Sequence, residues 1–487
     1  MSADQHRPSG HPHETPITDE ARAMMRALPR EERTMSAAIV LTRLQKVMLV
    51  LIGLALAAGF LADWTVTLIA MNGICLTFYL VVVGFKAYLI HLAITSEREL
   101  EFSTDQIQDL DEDELPVYTL LLPLYEEADV LPGLVEGLRE LDYPEDKLDV
   151  LMLLEEDDYD TIRAARALDL PPWIRVVRVP ADEPPRTKPK ACNIGLGLAR
   201  GDYLVIYDAE DRPEPDQLKK AILGFRHVPD DVICLQAKLN FYNQRQNLLT
   251  RWFTTDYSVW FDLMLPGVDY LQAPIPLGGT SNLFRVDVLK ELRGWDPFNV
   301  TEDCDLGVRL AMRGYRTCIL DSTTWEEACS DLSFWVKQRS RWTKGYIQTY
   351  LVHLRRPLSH LLTLGPGKTL SFHLMVGGTF LCLLINPVYW LLTAGWFIFR
   401  WEEVSVLFPF PLILWGLLCL FAGNFVFIYS SLLATYQRGY YDLVKHCLFL
   451  PFYWVLASVG AWKGFAQLIT NPSYWEKTKH GLDQEGE

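Results

Sequence analysis

The chain has 487 residues, 45 Lys+Arg against 61 Asp+Glu, a formal net charge of -16 and an apolar share of 50%. An acidic balance with a pI near 5.2 argues against a basic stripe for nucleic acid, so no nucleic-acid partner is expected. The nine cysteines show no paired C-x-x-C spacing, which argues against a zinc ribbon or a disulfide framework and leaves reduced thiols as the expectation.

Residues 1–40 are polar and carry Pro8, Pro12 and Pro16, so the expectation is a disordered cytoplasmic tail. Within 45–92 the chain is uncharged from Val47 to Ala62 and again from Val66 to Phe85, on either side of Asp63. Helices of that size approach the roughly 30 Å of a bilayer core, which predicts a transmembrane pair turning at Asp63 and returning at Lys86. The acidic stretch 97–115 reads as a solvated linker.

From Pro116 short apolar runs alternate with helical patterns. Tyr118–Leu122, Asp149–Leu154, Ile174–Val179 and Tyr203–Tyr207 read as buried strands; Leu131–Leu141, Thr161–Leu168, Lys190–Ala199 and Asp216–Phe225 read as helices between them. That alternation predicts an α/β, Rossmann-like domain with a mostly parallel sheet, whose ligands sit beyond the carboxyl ends of the strands. Those ends are acidic: Tyr125-Glu126-Glu127, Glu155-Glu156-Asp157-Asp158 and Asp208-Ala209-Glu210-Asp211. Three converging acidic clusters repel one another unless a cation joins them, and hard oxygen ligands suit Mg²⁺ or Mn²⁺ with phosphate oxygens in the remaining positions. Lys188 and Lys190 can offset phosphate charge.

Residues 346–368 interleave Leu351, Leu354, Leu358, Leu361 and Leu362 with Arg355 and Arg356, a pattern suited to an amphipathic helix in the membrane interface. The region 371–470 holds three further apolar runs, 371–399, 404–437 and 447–462. Reading the first as one helix kinked at Asn386-Pro387 gives five crossings in total; reading it as two gives six. Residues 471–487 read as a tail.

The order of motifs resembles the family-2 glycosyltransferases, specifically the membrane-embedded synthases related to cellulose, hyaluronan and chitin-type synthases. The resemblance spans Pro116 to Tyr350 and the flanking helices, and it implies a GT-A fold for 116–345 on the cytosolic side of a multi-pass plasma-membrane protein. Four signals carry it: Glu155-Glu156 where the family holds base and ribose, Asp208-Ala209-Glu210 at its D-x-D, Thr301-Glu302-Asp303 at its T-E-D, and Gln338-Arg339-Ser340-Arg341-Trp342 at its Q-x-x-R-W. It implies a metal–diphosphate on Asp208 and Glu210, donor contacts from Glu155, Glu156, Lys188 and Arg341, Asp303 as general base, and acceptor contacts from Gln338 and Trp342. It further implies inverting transfer from a nucleotide-sugar, UDP-glucose or UDP-N-acetylglucosamine before GDP-mannose, onto a growing β-linked polysaccharide coupled to export, with accessory subunits conceivable. Transfer of one sugar to a lipid is the rival. The chain departs from the family pattern at Glu210, at Glu155-Glu156 and at Gly278-Gly279-Thr280-Ser281-Asn282. Only 24 residues follow Lys463, too few for an appended cyclic-dinucleotide-binding domain.

Overall fold

The computed structural model describes residues 13–96 and 99–476. Among the described residues eight strands form one sheet: β1 (Tyr118–Leu124), β2 (Leu148–Glu155), β3 (Ile174–Val179), β4 (Tyr203–Ile206), β5 (Arg212–Pro213), β6 (Val232–Phe241), β7 (Asn282–Arg285) and β8 (Arg316–Glu326). Their spatial order is β3-β2-β1-β4-β7-β6-β8-β5. β2 is buried along its whole length, as the apolar run Val150–Leu154 requires of a strand covered on both faces, and its buried Asp149 is paired with Arg175.

The sheet is mixed, which corrects the mostly parallel expectation. The first four strands in spatial order pair parallel, and so do β6 and β8. β7 runs antiparallel to both β4 and β6, and β5 antiparallel to β8. The physical reason is the long excursion 242–281, which leaves β6 and returns beside it in the opposite direction. Four residues of β7 are too few to announce a direction in sequence.

Residues 13–40 do not form the free tail expected; residues 1–12 of that tail lie outside the described residues. Glu14 makes a parallel bridge to Val176 of β3. A helix at Asp19–Met24, capped by Thr18, lies on the helix Lys188–Leu198. Ala21, Met24, Met25 and Leu28 repeat at helical spacing and are all buried. The contact closes at Gly197, where an added Cβ would come 2.4 Å from the Ala21 Cα. The stretch 97–115 is likewise docked over its described part: Leu100 bridges to Leu320 of β8, and Glu99 pairs with Lys238 at 2.6 Å.

Among the described residues four helices are long and apolar enough to cross a membrane: Arg43–Thr95, Pro357–Phe397, Leu412–Gln437 and Val444–Thr470. The first breaks at Asp63 (φ -158, ψ 104), whose carboxylate accepts from the Thr65 and Val66 amides and so caps the second half. Pro387 lies inside the single helix Gly378–Phe397. The 346–368 helix is not a unit. Helix Leu332–His353 runs through the Gln338–Trp342 motif, and a new helix starts at Pro357 and breaks at Gly365 (φ 77) before Pro366. Pro357 suits a first helical turn, whereas Pro366 cannot continue one.

Candidate active site

A cavity of about 550 Å³ opens at the carboxyl ends of β1, β2 and β4. Its wall includes Tyr125, Glu155, Lys188, Asp208, Glu210 and Arg341. Glu156 is exposed and absent from that wall, so of the two acids ending β2 only Glu155 faces the cavity. Burial pushes the Glu155 carboxyl up to about 7, against the pull of Lys190. Lys190 is not available to a phosphate: its buried ammonium donates to the Pro180 carbonyl at 2.8 Å and to Glu155 at 3.3 Å.

Lys188, the first residue of its helix, reaches Asp208 at 2.5 Å and donates to the Gly279 carbonyl at 2.9 Å. Burial works against its charge, but Asp208 and Glu302 outweigh burial and hold its pKa above the ordinary lysine range. The turn after β4 is tied by Asp211, which accepts from the Asp208 amide at 2.8 Å and from the Thr280 hydroxyl. Its other oxygen, Oδ1, is buried without a partner. The register β5–β8 pairs Arg212 with Trp325, which sets Glu326 beside Asp211. Burial, then repulsion from Asp208 and Glu210, holds Asp211 well above the usual carboxylate range; Glu326 is raised by burial and by the same cluster. Glu326 is a site residue that sequence reasoning missed, because nothing in a strand end thirteen residues after Arg313 marks it as neighbour to 208–211.

Hard carboxylate oxygens that repel one another, one of them buried and unpaired, fit a divalent cation. Asp208 and Glu210 are the two such carboxylates on the cavity wall, and among the described residues no three His, Cys, Asp or Glu side chains are grouped so as to hold a metal by themselves.

Asp303 lies in the first turn of helix Glu302–Met312 and accepts from the Cys304 amide at 2.7 Å. Burial raises its pKa, against Lys188 and Arg341 nearby; burial and then Asp303 raise Glu302. Lys188 thus links the acids after β4 to the Thr301-Glu302-Asp303 turn. The helix Leu332–His353 comes as near to that turn as backbone permits: a Cβ on Gly345 would stand 2.3 Å from the Thr301 hydroxyl.

Arg341 points into the cavity and Trp342 away from it. Trp342 stacks on Tyr257, ring centroids 6.2 Å apart at 30°. Arg339 sits among Phe253, Trp335, Trp342 and Tyr453, within 4.7–5.4 Å of each ring, and pairs with Asp256 at 2.6 Å. Gln338 Oε1 is buried without a partner. The structure therefore gathers Glu155, Lys188, Asp208, Glu210 and Arg341 in one wall, sets Asp303 beside Lys188 and Arg341, and puts Gln338 and Trp342 on the adjoining helix.

The segment 471–476 is not a tail; 477–487 lie outside the described residues. Asn471, Ser473, Tyr474 and Trp475 form part of the cavity wall. The Trp475 ring lies 4.4 Å from the Arg341 guanidinium, and the Tyr474 carbonyl accepts from Lys344 at 2.7 Å. Its only signal in sequence was the tryptophan itself.

Residues 116–345 match the family described as "Glycosyltransferase like family 2". That stretch, rather less than half of the chain, is similar to the family-2 glycosyltransferases. The matched residues are the ones that carry the mixed α/β sheet. Among similar proteins, "Probable glycosyltransferase YdaM" of Bacillus subtilis (strain 168) is 25% identical over 265 residues, 54% of this chain and 60% of that protein. "Glucomannan 4-beta-mannosyltransferase 2" of Arabidopsis thaliana is 27% identical over 247 residues, 49% of this chain and 46% of that protein. The chain thus spans about half the length of the curated relatives it matches. Among solved structures, "Mannosyltransferase PcManGT from Pyrobaculum calidifontis in complex with GDP-Man and Mn2+" aligns with a TM-score of 0.46 at 18% identity, covering 77% of this chain and 99% of that one.

Proposed function

We propose that the glycosyltransferase domain moves one hexose at a time from a nucleotide-diphosphate sugar to a growing β-linked polysaccharide, with inversion, at the cytosolic face of the plasma membrane. The observation that carries the reading is the convergence of Asp208, Glu210, Lys188 and Arg341 on one cavity wall, with Asp303 within the electrostatic reach of Lys188 and Arg341 and the Trp342–Tyr257 stack on the far side of the same helix. The relatives named for mannosyl transfer put GDP-mannose beside UDP-glucose and UDP-N-acetylglucosamine as a donor to test first.

In this reading Glu155 takes the ribose or base at the end of β2. A divalent cation on Asp208 and Glu210, Mg²⁺ or Mn²⁺, supplies neutralisation of charge on the departing diphosphate when bound. Lys188 and Arg341 add fixed positive charge at the same place, where it counts most as the bond breaks. Asp303 takes the acceptor hydroxyl's proton; its raised pKa makes it a better base than an ordinary aspartate while leaving it ionised near neutrality. Single displacement from the face opposite the leaving group turns an α-linked donor into a β-linkage. Trp342 offers a flat apolar surface to the acceptor sugar, and the unpaired Gln338 carbonyl accepts one of its hydroxyls. The long apolar helices would hold the domain at the bilayer and provide the exit route for a polymer that hydrocarbon cannot admit.

The test is nucleotide diphosphate release by the protein in lipid vesicles, across UDP- and GDP-sugars with Mg²⁺ or Mn²⁺. Release from one donor with a glycosidase-sensitive polymer is the expected result. Release with only an organic-soluble sugar would replace the polymer by a lipid acceptor, and no release from any donor would sink the reading.

A further inference from the structure

Residues 13–42 run along the domain and fasten to both loops that flank the reaction centre. At one end the chain extends the edge of the sheet: the Thr15 amide donates to the Val176 carbonyl, and the Val176 amide to the His13 carbonyl, each at 2.8 Å. Glu14 is held there by Arg178 and by Arg166. Midway, Arg26 donates to the Pro184 carbonyl and faces the Glu183 carboxylate at 3.9 Å. The next residues, Pro185 to Lys188, belong to the cavity wall.

At the far end the segment meets Asp296, which is fully buried. Its carboxylate accepts from the Ser36 hydroxyl at 2.9 Å, the Ala37 amide at 2.6 Å and the Phe298 amide at 3.1 Å. Arg355 locks the other side of this corner by donating to the carbonyls of Thr34, Ser36 and Ile39. Asp296 belongs to the loop 295–301 that delivers Asp303. That loop is also pinned by Asn193, which brackets Trp295 with two hydrogen bonds, by Thr187 on the Pro297 carbonyl, and by Gln348 on the Val300 amide.

Covering an apolar patch would need only Ala21, Met24, Met25 and Leu28. It gives no reason to bury a carboxylate, which costs several kcal/mol unless its oxygens are fully engaged. Here they are engaged, and the donors come from Ser36 and Ala37, about 260 residues away in sequence. One segment thereby fixes the loop of the candidate base and the loop of the donor wall relative to each other.

We propose that residues 13–42 are a positioning strap for the transfer reaction, with Asp296 as the positioning residue for the base loop and Arg26 for the donor loop. This rests on the glycosyl-transfer reading above. The geometry requires two different kinetic signatures. Loosening the Asp296 corner displaces Asp303 from the acceptor hydroxyl, and misplacement of about 1 Å costs up to ~10²-fold in turnover. Loosening Arg26 frees the rim of the donor cavity and leaves the base where it is.

The experiment uses the full chain in lipid nanodiscs and measures kcat, donor KM and the affinity for the nucleotide diphosphate. Ser36→Ala and Asp296→Asn are expected to lower kcat by about tenfold or more, with unchanged nucleotide diphosphate affinity. Arg26→Gln is expected to raise donor KM by roughly threefold with kcat unchanged. If Asp296→Asn does not fold, Ser36→Ala and Arg26→Gln still decide the matter. Variants matching the parent in both parameters, or changing only in melting temperature, would overturn the strap. So would Arg26→Gln lowering kcat in place of raising KM. A parent that binds nucleotide diphosphate but turns over no sugar donor would instead remove the reading on which the strap depends.

Discussion

Where the helices Arg43–Thr95 and Gly378–Phe397 meet, polar side chains are matched to one another. Tyr389 donates to Asn72 at 2.7 Å, Asn72 to the Leu407 carbonyl at 2.6 Å, and Tyr79 to Asn386 and to the Cys382 carbonyl. On and near the cavity wall the opposite holds: Arg341 Nε in the wall, Asp211 Oδ1 in the turn after β4, Thr301 Oγ1 and Gln338 Oε1 are buried with no partner. A buried polar atom left alone costs about 1–3 kcal/mol. Apolar surroundings offer no solvent to make up a missing bond, so a helix contact in a bilayer has to close its own hydrogen bonds. A cavity rim can leave them open if a ligand brings the complements. The difference teaches that unpaired atoms point to chemistry where they gather at a cavity, since single ones also occur elsewhere, as at Ser371 and Ser458 in the long apolar helices.

Breaking the open side should have the largest effect. Asp303→Asn is expected to lower kcat by about 10²–10⁴-fold while leaving nucleotide diphosphate binding intact, read from steady-state release and calorimetry. Retained turnover would refute the base assignment. The same group sets the pH profile. Its pKa is raised, and the base works only when ionised, so kcat/KM falls as pH drops through that raised value, with an acid limb above the ordinary aspartate range. Asp208→Asn, or removal of divalent ions by chelation, should cost about 10²–10³-fold in kcat, and an unaffected rate in chelator would rule out the proposed metal role.

Trp475→Ala tests whether the wall supplied by 471–475 counts. Losing the stack on Arg341 should raise donor KM by about tenfold, and an unchanged KM would show that segment to be a bystander. The smallest effect belongs to the paired side. Tyr79→Phe should cost about 1 kcal/mol of stability with kcat unchanged, measured by thermal unfolding in detergent beside turnover. If it instead silences the enzyme, the helix contact is part of the working path and the contrast between the two regions fails.

The parallel strands were legible because β1 to β4 are apolar runs separated by helical patterns, and the acids at their ends fall where such a sheet places ligands. Glu155 and Glu156 could not be told apart, since only the pleat at the end of β2 decides which of two neighbours faces the cavity. Lys190 looked as available as Lys188 until the helix phase turned it inward onto Pro180. β7 and Glu326 were hidden because their neighbours are set by pairings distant in sequence. The two flanking segments escaped for a different reason. Both hold mostly single contacts, such as Trp475 on Arg341 or Ser36 on Asp296, and a single contact has no period. Arg339, given no role by the motif, is the centre of the aromatic cluster that joins this helix to Leu450–Thr470.

The placement of Asn471–Trp475 has a consequence for how the enzyme comes into being. These residues are translated after the last of the long apolar helices, Val444–Thr470. A chain still emerging from the ribosome therefore has Asp208, Asp303 and the motif helix, but one side of its cavity is missing. Completion of the cavity thus follows synthesis of that final helix, so a partly made chain has no finished cavity.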